Sequence, residues 1–511
     1  MLDPARLRSH ALREERGAEW RIGVSVRRCA VTVVMCVVAL ALSRAASAAD
    51  IGANDDTGKY AADSGAIFFP QMAAFGLKQT VMTTRFLSSE PTAVQDGAAL
   101  DRAIPLAQLS GLRVTLAVYP YPPREVEARR ATPEGFASWL TLVAQRYPSV
   151  KQFVVMNEPN QPAFMRPQFD ATGVNVSAAK AGAFLAAGYD ALKAVDPAIR
   201  VVGIGLSPRG NDRPTALNNI STSPVRFLTA LGAWYRASGR RLPLMDGFSF
   251  HPYPNRATDE LDRGYPWPNA GFANLDRIKQ ALWDAFRETP QPSTVNGLKI
   301  YLDEVGWQVD TSTLEGYSGS ENVQVTDEAS QAALYDGLVR ASACDPSIAE
   351  VNIFGFYDDG PRDSGFQAAL NHVDGTPRPS AEAVRAAIAD TALGCALPGA
   401  PWYPAKHVIG VVPPRFVVSA RRVIRFDVAA MEGAEAIACL LPGQLGGKAA
   451  ADLMASRSAT SVGCVGSKVL PSRLVHVVLR RLGRLDPVTV AVRLVAEASA
   501  KRWNAYSRTL L

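Results

Sequence analysis

From Asp50 to about residue 397, short apolar runs alternate with stretches whose apolar residues recur every three or four positions. The runs are Ile51–Asn54, Thr80–Phe86, Arg113–Tyr119, Gln152–Met156, Val201–Gly205, Gly247–Phe250, Lys299–Asp303 and Val351–Gly355. Most are rich in Val, Ile, Leu and Phe without clean alternation, the pattern of strands covered on both faces of a parallel sheet. Between them the helical period is explicit. After the start signal Thr132-Pro133-Glu134 come Phe136, Trp139, Leu140, Val143 and Tyr147, and Pro148 ends the segment. Leu275, Ile278, Leu282 and Phe286 form a second stripe opened by Asn274, and Leu334, Tyr335, Leu338 and Val339 a third. Eight strands alternating with helices predict an α/β fold of the (β/α)8 TIM-barrel type. A doubly wound open sheet alternates in the same way, but no Gly-rich phosphate loop follows the first strand to favour it.

From Gly399-Ala400-Pro401 onward the pattern changes. Phe416–Val418, Val423–Phe426, Val475–Val478 and Val488–Val492 read as strands with turns between them, and a helical period recurs only near Ala450–Ser456. This predicts a smaller C-terminal β-sandwich-like domain over 398–511, behind a barrel domain over 50–397. A length of 511 residues also calls for more than one core. The formal charge of +6 changes little: residues 1–48 hold eight Arg against four acidic residues, which leaves +2 for the rest. No nucleic-acid partner is implied by so small a balance.

Cys29–Leu42 is a continuous, weakly polar run preceded by Arg27-Arg28 and followed by Ala46-Ser47-Ala48. Basic, apolar and small segments in that order predict a secretory signal peptide over 1–48, and hence an exported protein. The run is short of the roughly 20 apolar residues of a stable membrane span, although an uncleaved signal anchor is the alternative. The basic leader is long for such a signal, which leaves a downstream start codon open. Four of the six Cys lie beyond it, at Cys344, Cys395, Cys439 and Cys464. After export an even number suggests disulfides; proximity favours 344–395 and 439–464, with three pairings possible and buried free thiols as the rival.

In a TIM barrel, reactive side chains stand at the C-terminal ends of the strands and share one pocket. Two runs end in carboxylates there: Val154-Val155-Met156-Asn157-Glu158-Pro159, and Ile300-Tyr301-Leu302-Asp303-Glu304-Val305-Gly306-Trp307. As fourth and seventh strands, they point Glu158 and Glu304 into the mouth from opposite sides. A slip of one residue in the seventh strand would turn Asp303 inward instead. Two facing carboxyl groups suit acetal cleavage, one protonating the leaving oxygen while the other attacks the anomeric carbon.

With these motifs the chain resembles the clan A retaining TIM-barrel glycoside hydrolases, which include family 5 cellulase-like and family 39-like enzymes. Asn157-Glu158-Pro159 is similar to the clan's fourth-strand motif, which implies that Glu158 is the acid/base and that Asn157 contacts the sugar 2-hydroxyl. Asp303-Glu304-Val305-Gly306-Trp307 resembles the seventh-strand motif and implies Glu304 as nucleophile. Phe248-Ser249-Phe250-His251-Pro252-Tyr253 resembles the sixth-strand His-x-Tyr element, whose Tyr hydrogen-bonds the nucleophile; this implies His251 and Tyr253 as site residues. Arg85, closing Val81-Met82-Thr83-Thr84-Arg85, resembles the second-strand Arg that braces the nucleophile. The resemblance spans roughly residues 50–390, including Asp374-Gly375-Thr376-Pro377-Arg378-Pro379 before the last helix. Two departures concern the sugar subsites: Phe354-Gly355-Phe356-Tyr357 stands where the clan often has Trp, and Tyr119-Pro120-Tyr121 where many members have His.

Each assignment has a plainer rival. Glu158 could be a helix-start carboxylate, His251 a satisfied core histidine, and Arg85 the partner of a structural acid. Trp307, Tyr119 and Phe356 are candidate sugar-stacking faces or simple packing residues, and Asp358-Asp359 reads as a solvated loop pair. With only His251 and His372 in the barrel and no His-x-x-x-His pair, no metal site is expected. No Gly-x-Ser-x-Gly elbow supports a serine esterase. The implied partner is an oligosaccharide, polysaccharide or glycoside, with no cofactor. The alternatives are a catalytically silent carbohydrate-binding or cell-envelope protein on the same barrel, and a transglycosylase sharing the same residues.

Overall fold

The computed structural model describes residues 48–395 without a break, residues 402–404, and the C-terminal strand residues given below. The signal segment and the helical stretch expected near 450–456 lie outside the described residues. Eight strands, β1 (Asp50–Asn54), β2 (Gln79–Phe86), β3 (Arg113–Pro120), β4 (Gln152–Val155), β5 (Arg200–Leu206), β6 (Gly247–Phe250), β7 (Lys299–Val305) and β8 (Ile348–Phe354), form one closed barrel in sequence order. Every neighbouring pair is parallel, and β1 closes on β8 through Asp50↔Glu350 to Asn54↔Phe354. The main helices follow their strands: α1 (Phe68–Phe75), α2 (Gly97–Leu109), α3 (Pro133–Arg146), α4 (Ser177–Val195), α5 (Pro224–Ala237), α6 (Leu275–Phe286), α7 (Glu328–Cys344) and α8 (Pro379–Thr391). The chain is therefore a TIM barrel.

Local sequence explains the helix bounds. The Thr132 hydroxyl accepts from the Gly135 N–H at 3.1 Å, capping α3, and Pro133 occupies a first-turn position where its missing N–H costs nothing. The stripe Phe136, Trp139, Leu140 and Val143 is buried against the sheet. Asp327 caps α7 in the same way, accepting from the Ser330 N–H at 2.8 Å.

The barrel interior is layered. At the N-terminal end, Arg113 Nη2 donates to Glu350 Oε1 at 2.8 Å, Gln79 Oε1 at 3.0 Å and Asp50 Oδ2 at 3.1 Å, and Gln152 Nε2 reaches Glu350 Oε2 at 2.9 Å. Above this polar plug, Val81, Ala117, Val154, Val202 and Tyr301 make a separate apolar cluster, while their strand neighbours pack outward under the helices. Only the C-terminal end is left for an open site.

Beyond the barrel, β9 (Val417–Val418), β10 (Val423–Val428) and β13 (Val475–Arg480) form one antiparallel sheet. A second antiparallel sheet, ordered β12-β11-β14-β15, comprises β11 (Ala434–Pro442), β12 (Gly463–Val469), β14 (Val488–Ala496) and β15 (Ser499–Leu510). Disulfides join Cys344 to Cys395 and Cys439 to Cys464, the pairings favoured by proximity; the second links directly opposed residues of β11 and β12. Among the described residues no helix is long and apolar enough to cross a membrane.

The loops after β7 and β8 are pinned by a buried cation. Arg378 donates through Nη1 to Asp358 Oδ1 at 3.2 Å, through Nη2 to Asp358 Oδ2, and through Nε to Glu328 Oε1 at 3.2 Å. Asp358 also accepts from the Ala369 N–H at 2.9 Å and the Tyr317 hydroxyl at 2.7 Å. It is thus not the solvated loop residue expected from the Asp358-Asp359 pair: burial lifts its carboxyl to about 6 even with Arg378 beside it, and only Asp359 is exposed. In sequence a charged pair looks like surface unless its distant partner is known. Breaking such a pair strands a buried charge. Arg378→Ala is expected to lower unfolding free energy by about 3–5 kcal/mol, read as a fall in urea midpoint at neutral pH.

Candidate active site

The C-terminal end of the barrel opens into a cavity of about 770 Å³ whose lining includes Asn157, Glu158, Tyr253, Glu304, Phe354 and Phe366. Both carboxylates reach it by departures from regular strand geometry. β4 ends at Val155, and the chain then passes through positive φ at Met156 (79°) and Glu158 (36°). Non-glycine residues rarely occupy that region, and when they do the surroundings must hold them there. Here the Glu158 N–H donates to the Gly205 carbonyl at 2.8 Å. On β7, pairing with β8 jumps between Leu302 and Val305. Adjacent strand residues ordinarily face opposite ways; the irregularity lets Asp303 and Glu304 both contribute to the site. The choice between them left open by the sequence dissolves, because both are present.

His251 organises the centre. It follows β6, is fully buried, and is the meeting point of three carboxylates. Its Nδ1 lies 3.2 Å from Glu158 Oε1 and 3.4 Å from Glu304 Oε2, and its Nε2 lies 3.3 Å from Asp303 Oδ1. Because one atom touches both, the Glu158 and Glu304 oxygens are separated by no more than the sum of those distances, 6.6 Å. Close approach from β5 requires glycine: at Gly205 (φ 63°) a Cβ would stand 3.2 Å from His251 Nε2 and 3.3 Å from the Met156 carbonyl oxygen. Tyr253 donates to Glu304 Oε2 at 3.2 Å.

Electrostatics follow from burial and crowding. Burial alone would drive the proton off His251, but Glu304, Asp303 and the contact with Glu158 outweigh it and hold the ring well above its ordinary value. Burial pushes Glu304 up to about 7; His251 and the Tyr253 hydroxyl hold it down, while Glu158 and Asp303 push it further up. Tyr253 is raised well above the usual phenol, first by burial and then by Glu304, so it remains a hydrogen-bond donor.

The other anticipated residues divide. Asn157 lines the cavity. Arg85 does not touch Glu304: its Nε donates to Gln95 Oε1 at 3.0 Å and its guanidinium lies 4.9 Å from the Tyr121 ring centre. Trp307 is buried against Tyr335, its indole donating to the Asp259 carbonyl at 3.3 Å. Phe356 is buried among Phe68, Phe75 and Tyr357. Tyr119 packs edge-on against Phe164, which itself lines the cavity. None of these four side chains is part of the cavity wall. The aromatic wall is instead Tyr253, Phe354 and Phe366, with ring centres 5.4–6.3 Å apart. Phe354 was legible, since it continues the inward stripe Glu350, Asn352, Phe354 while Val351 and Ile353 face the helices. Phe366, Phe164, Gln161 and Arg209 come from loops, where no periodicity marks them.

No family model matches this sequence, and no curated protein matches it. Among solved structures, a glucosidase from Croceicoccus marinus is similar at 10% identity and TM-score 0.44, over 85% of this chain and 93% of that one. A GH5_18 protein from Streptomyces cattleya in complex with GlcNAc is similar at 15% identity and TM-score 0.46, over 67% and 80%. Xylanase 10B from Thermotoga maritima is similar at 14% identity and TM-score 0.40, over 67% and 95%. Likenesses this distant carry no argument about activity.

The raised Glu304 value has a stability consequence with a definite sign. A carboxyl whose folded pKa lies above its unfolded value of about 4.5 costs the folded state nothing at low pH and progressively more as pH climbs towards 7. Glu304→Gln removes that cost. The variant is expected to match wild type below about pH 4 and to exceed it by on the order of 3 kcal/mol above pH 7, measured as unfolding midpoints across pH.

Proposed function

We propose that this protein is a glycoside hydrolase that cleaves O-glycosidic bonds with net retention, Glu158 serving as acid/base and Glu304 as nucleophile. The observation that carries the reading is the pair of carboxylates within 6.6 Å, facing an open cavity and sharing one imidazole nitrogen. Direct attack by a carboxylate needs a separation of about 5 Å, whereas mechanisms that seat a water between the two need roughly 6.5–9.5 Å. The bound applies to the facing oxygen of each group, and the shorter range lies within it.

The surroundings favour this division of roles. The Tyr253 hydroxyl on Glu304 Oε2 stabilises a carboxylate there, as an attacking group requires. Burial raises the Glu304 carboxyl to about 7, so near neutrality that group is divided between its protonated and ionised forms. In the first step Glu158 gives its proton to the leaving oxygen while a Glu304 oxygen bonds the anomeric carbon and the glycosidic bond breaks. In the second, Glu158 takes a proton from water as that water displaces Glu304. Asn157 lines the same cavity beside Glu158, in position to contact a sugar hydroxyl. The substrate class is an oligosaccharide, polysaccharide or glycoside encountered outside the cytoplasm, a setting consistent with the two disulfides.

Three measurements test this. Across a panel of aryl glycosides, Glu158→Gln and Glu304→Gln are each expected to lower kcat by several orders of magnitude with circular dichroism unchanged; near-wild-type turnover in both variants refutes the mechanism. Azide separates the roles: Glu304→Ala should yield a glycosyl azide of inverted configuration and Glu158→Ala one of retained configuration, and the reverse pattern exchanges the assignments. Because Glu304 must be ionised to attack, wild-type kcat/KM is expected to fall as pH drops through about 7, and a profile flat down to pH 5 contradicts that role.

A further inference from the structure

We propose that Asp303 is a positioning residue: by holding the Nε2 side of His251 it fixes the ring so that a single Nδ1–H serves whichever of Glu304 and Glu158 carries the negative charge. The inference rests on the hydrolytic reading above and adds to it a role for a third acid.

The geometry is specific. Asp303 is almost completely buried, and its place is set from two other strands: the Ser249 hydroxyl of β6 donates to Asp303 Oδ1, and Asn54 Nδ2 of β1 donates to its backbone carbonyl at 3.2 Å. Oδ1 faces His251 Nε2 at 3.3 Å, an ion-pair contact that falls outside hydrogen-bond geometry, and that nitrogen makes no hydrogen bond elsewhere. A bare Nε2 would set a lone pair against a carboxylate, so the ring keeps its proton on that side. On the opposite side Nδ1 is hydrogen-bonded to Glu158 Oε1 at 3.2 Å and lies at ion-pair distance, 3.4 Å, from Glu304 Oε2. Glu158 enters from the end of β4, and Asp303 and Glu304 from β7; among the described residues these are the charged groups at ion-pair distance from the ring. The other titratable group at the centre, the phenol of Tyr253, points at Glu304.

The reaction moves charge between those two oxygens. Before bond cleavage Glu304 is a carboxylate and Glu158 carries the transferable proton. Once Glu158 has protonated the leaving oxygen and Glu304 has become a neutral glycosyl ester, the negative charge resides on Glu158. The total over the three acids and the imidazolium is unchanged, and only its position shifts. A donor already within ion-pair distance of both ends needs only a small tilt to follow it, which is what a preorganised site requires. Asp303 supplies the anchor that keeps the ring cationic and aimed; neither its atoms nor its proton enter the reaction.

The closing experiment reads the ring and the turnover separately. In the wild-type protein, imidazole 15N shifts of His251 should report a protonated Nε2 from about pH 5 to pH 9; a neutral ring with bare Nε2 overturns the proposal even where a variant fails to fold. In Asp303→Asn, which keeps the shape and removes the charge, the ring is expected to lose its second proton at least about one pH unit earlier. With it, the alkaline limb of kcat/KM should move down by a similar amount. On the aryl glycoside that wild type turns over best, kcat should fall roughly 10²-fold with KM changed less than about threefold. A loss of kcat with the ring titration and the alkaline limb unmoved marks Asp303 as merely structural and overturns the proposal. A shifted ring titration in a protein whose wild type hydrolyses no glycoside overturns the hydrolytic reading, and this role with it.

Discussion

The structure of the site depends on one buried imidazole ringed by acids. Burying a charge is costly unless it is paired, and here no side chain of the cluster is tolerable alone. Without His251, three carboxylates would crowd a space of a few ångströms; without them, the imidazole would be a neutral ring in the mouth of the barrel. That mutual need explains features that look unrelated in the chain. Gly205 lacks a side chain because the imidazole occupies its place, and Ser249 carries a hydroxyl because Asp303 must be tethered. β7 breaks its register because two consecutive acids must both turn to the same side.

The barrel makes such a cluster affordable by concentrating polarity at its two ends. The Arg113–Glu350–Gln152 plug satisfies one end internally, the apolar layer around Val81 and Val202 isolates it, and only the far end is left with charge facing an opening. The loops that wall this opening are not free appendages. Arg378, with one face on Asp358 and the other on Glu328, ties the segment after β8 to the first turn of α7, so the cavity wall has its own buried support. Rigid strand ends and tethered loops together hold the carboxylates at a fixed separation.

Much of this was legible in the chain. Eight apolar runs gave strands that differ from those observed by a few residues at their ends, because a strand buried on both faces writes a continuous apolar word and its helix writes a period. That Glu158, Glu304, His251 and Tyr253 would meet could be anticipated, because strand ends in a closed parallel barrel must converge. The failures are equally physical. Trp307 and Phe356 each sit two residues past a strand end, where the chain has turned away and the ring falls back onto helices. Arg85 ends a strand as expected, but a long side chain can reach several neighbours, and Gln95 with Tyr121 took it. Asp303 was seen only as a competitor to Glu304, since strict alternation permits one inward residue of two, and register breaks leave no mark in composition.

The aromatic trio Tyr253, Phe354 and Phe366 gives the opening two unlike sides. These rings, held on β8, its following loop and the end of β6, stand across the opening from Asn157, Gln161 and Arg209, which follow β4 and β5. A cyclic guest with a greasy side and a hydroxyl-bearing rim therefore meets unlike walls and has a preferred flip. Turning such a guest over would press hydroxyls onto benzene faces and leave amides without partners, so walls this unlike distinguish the two faces of whatever ring they admit.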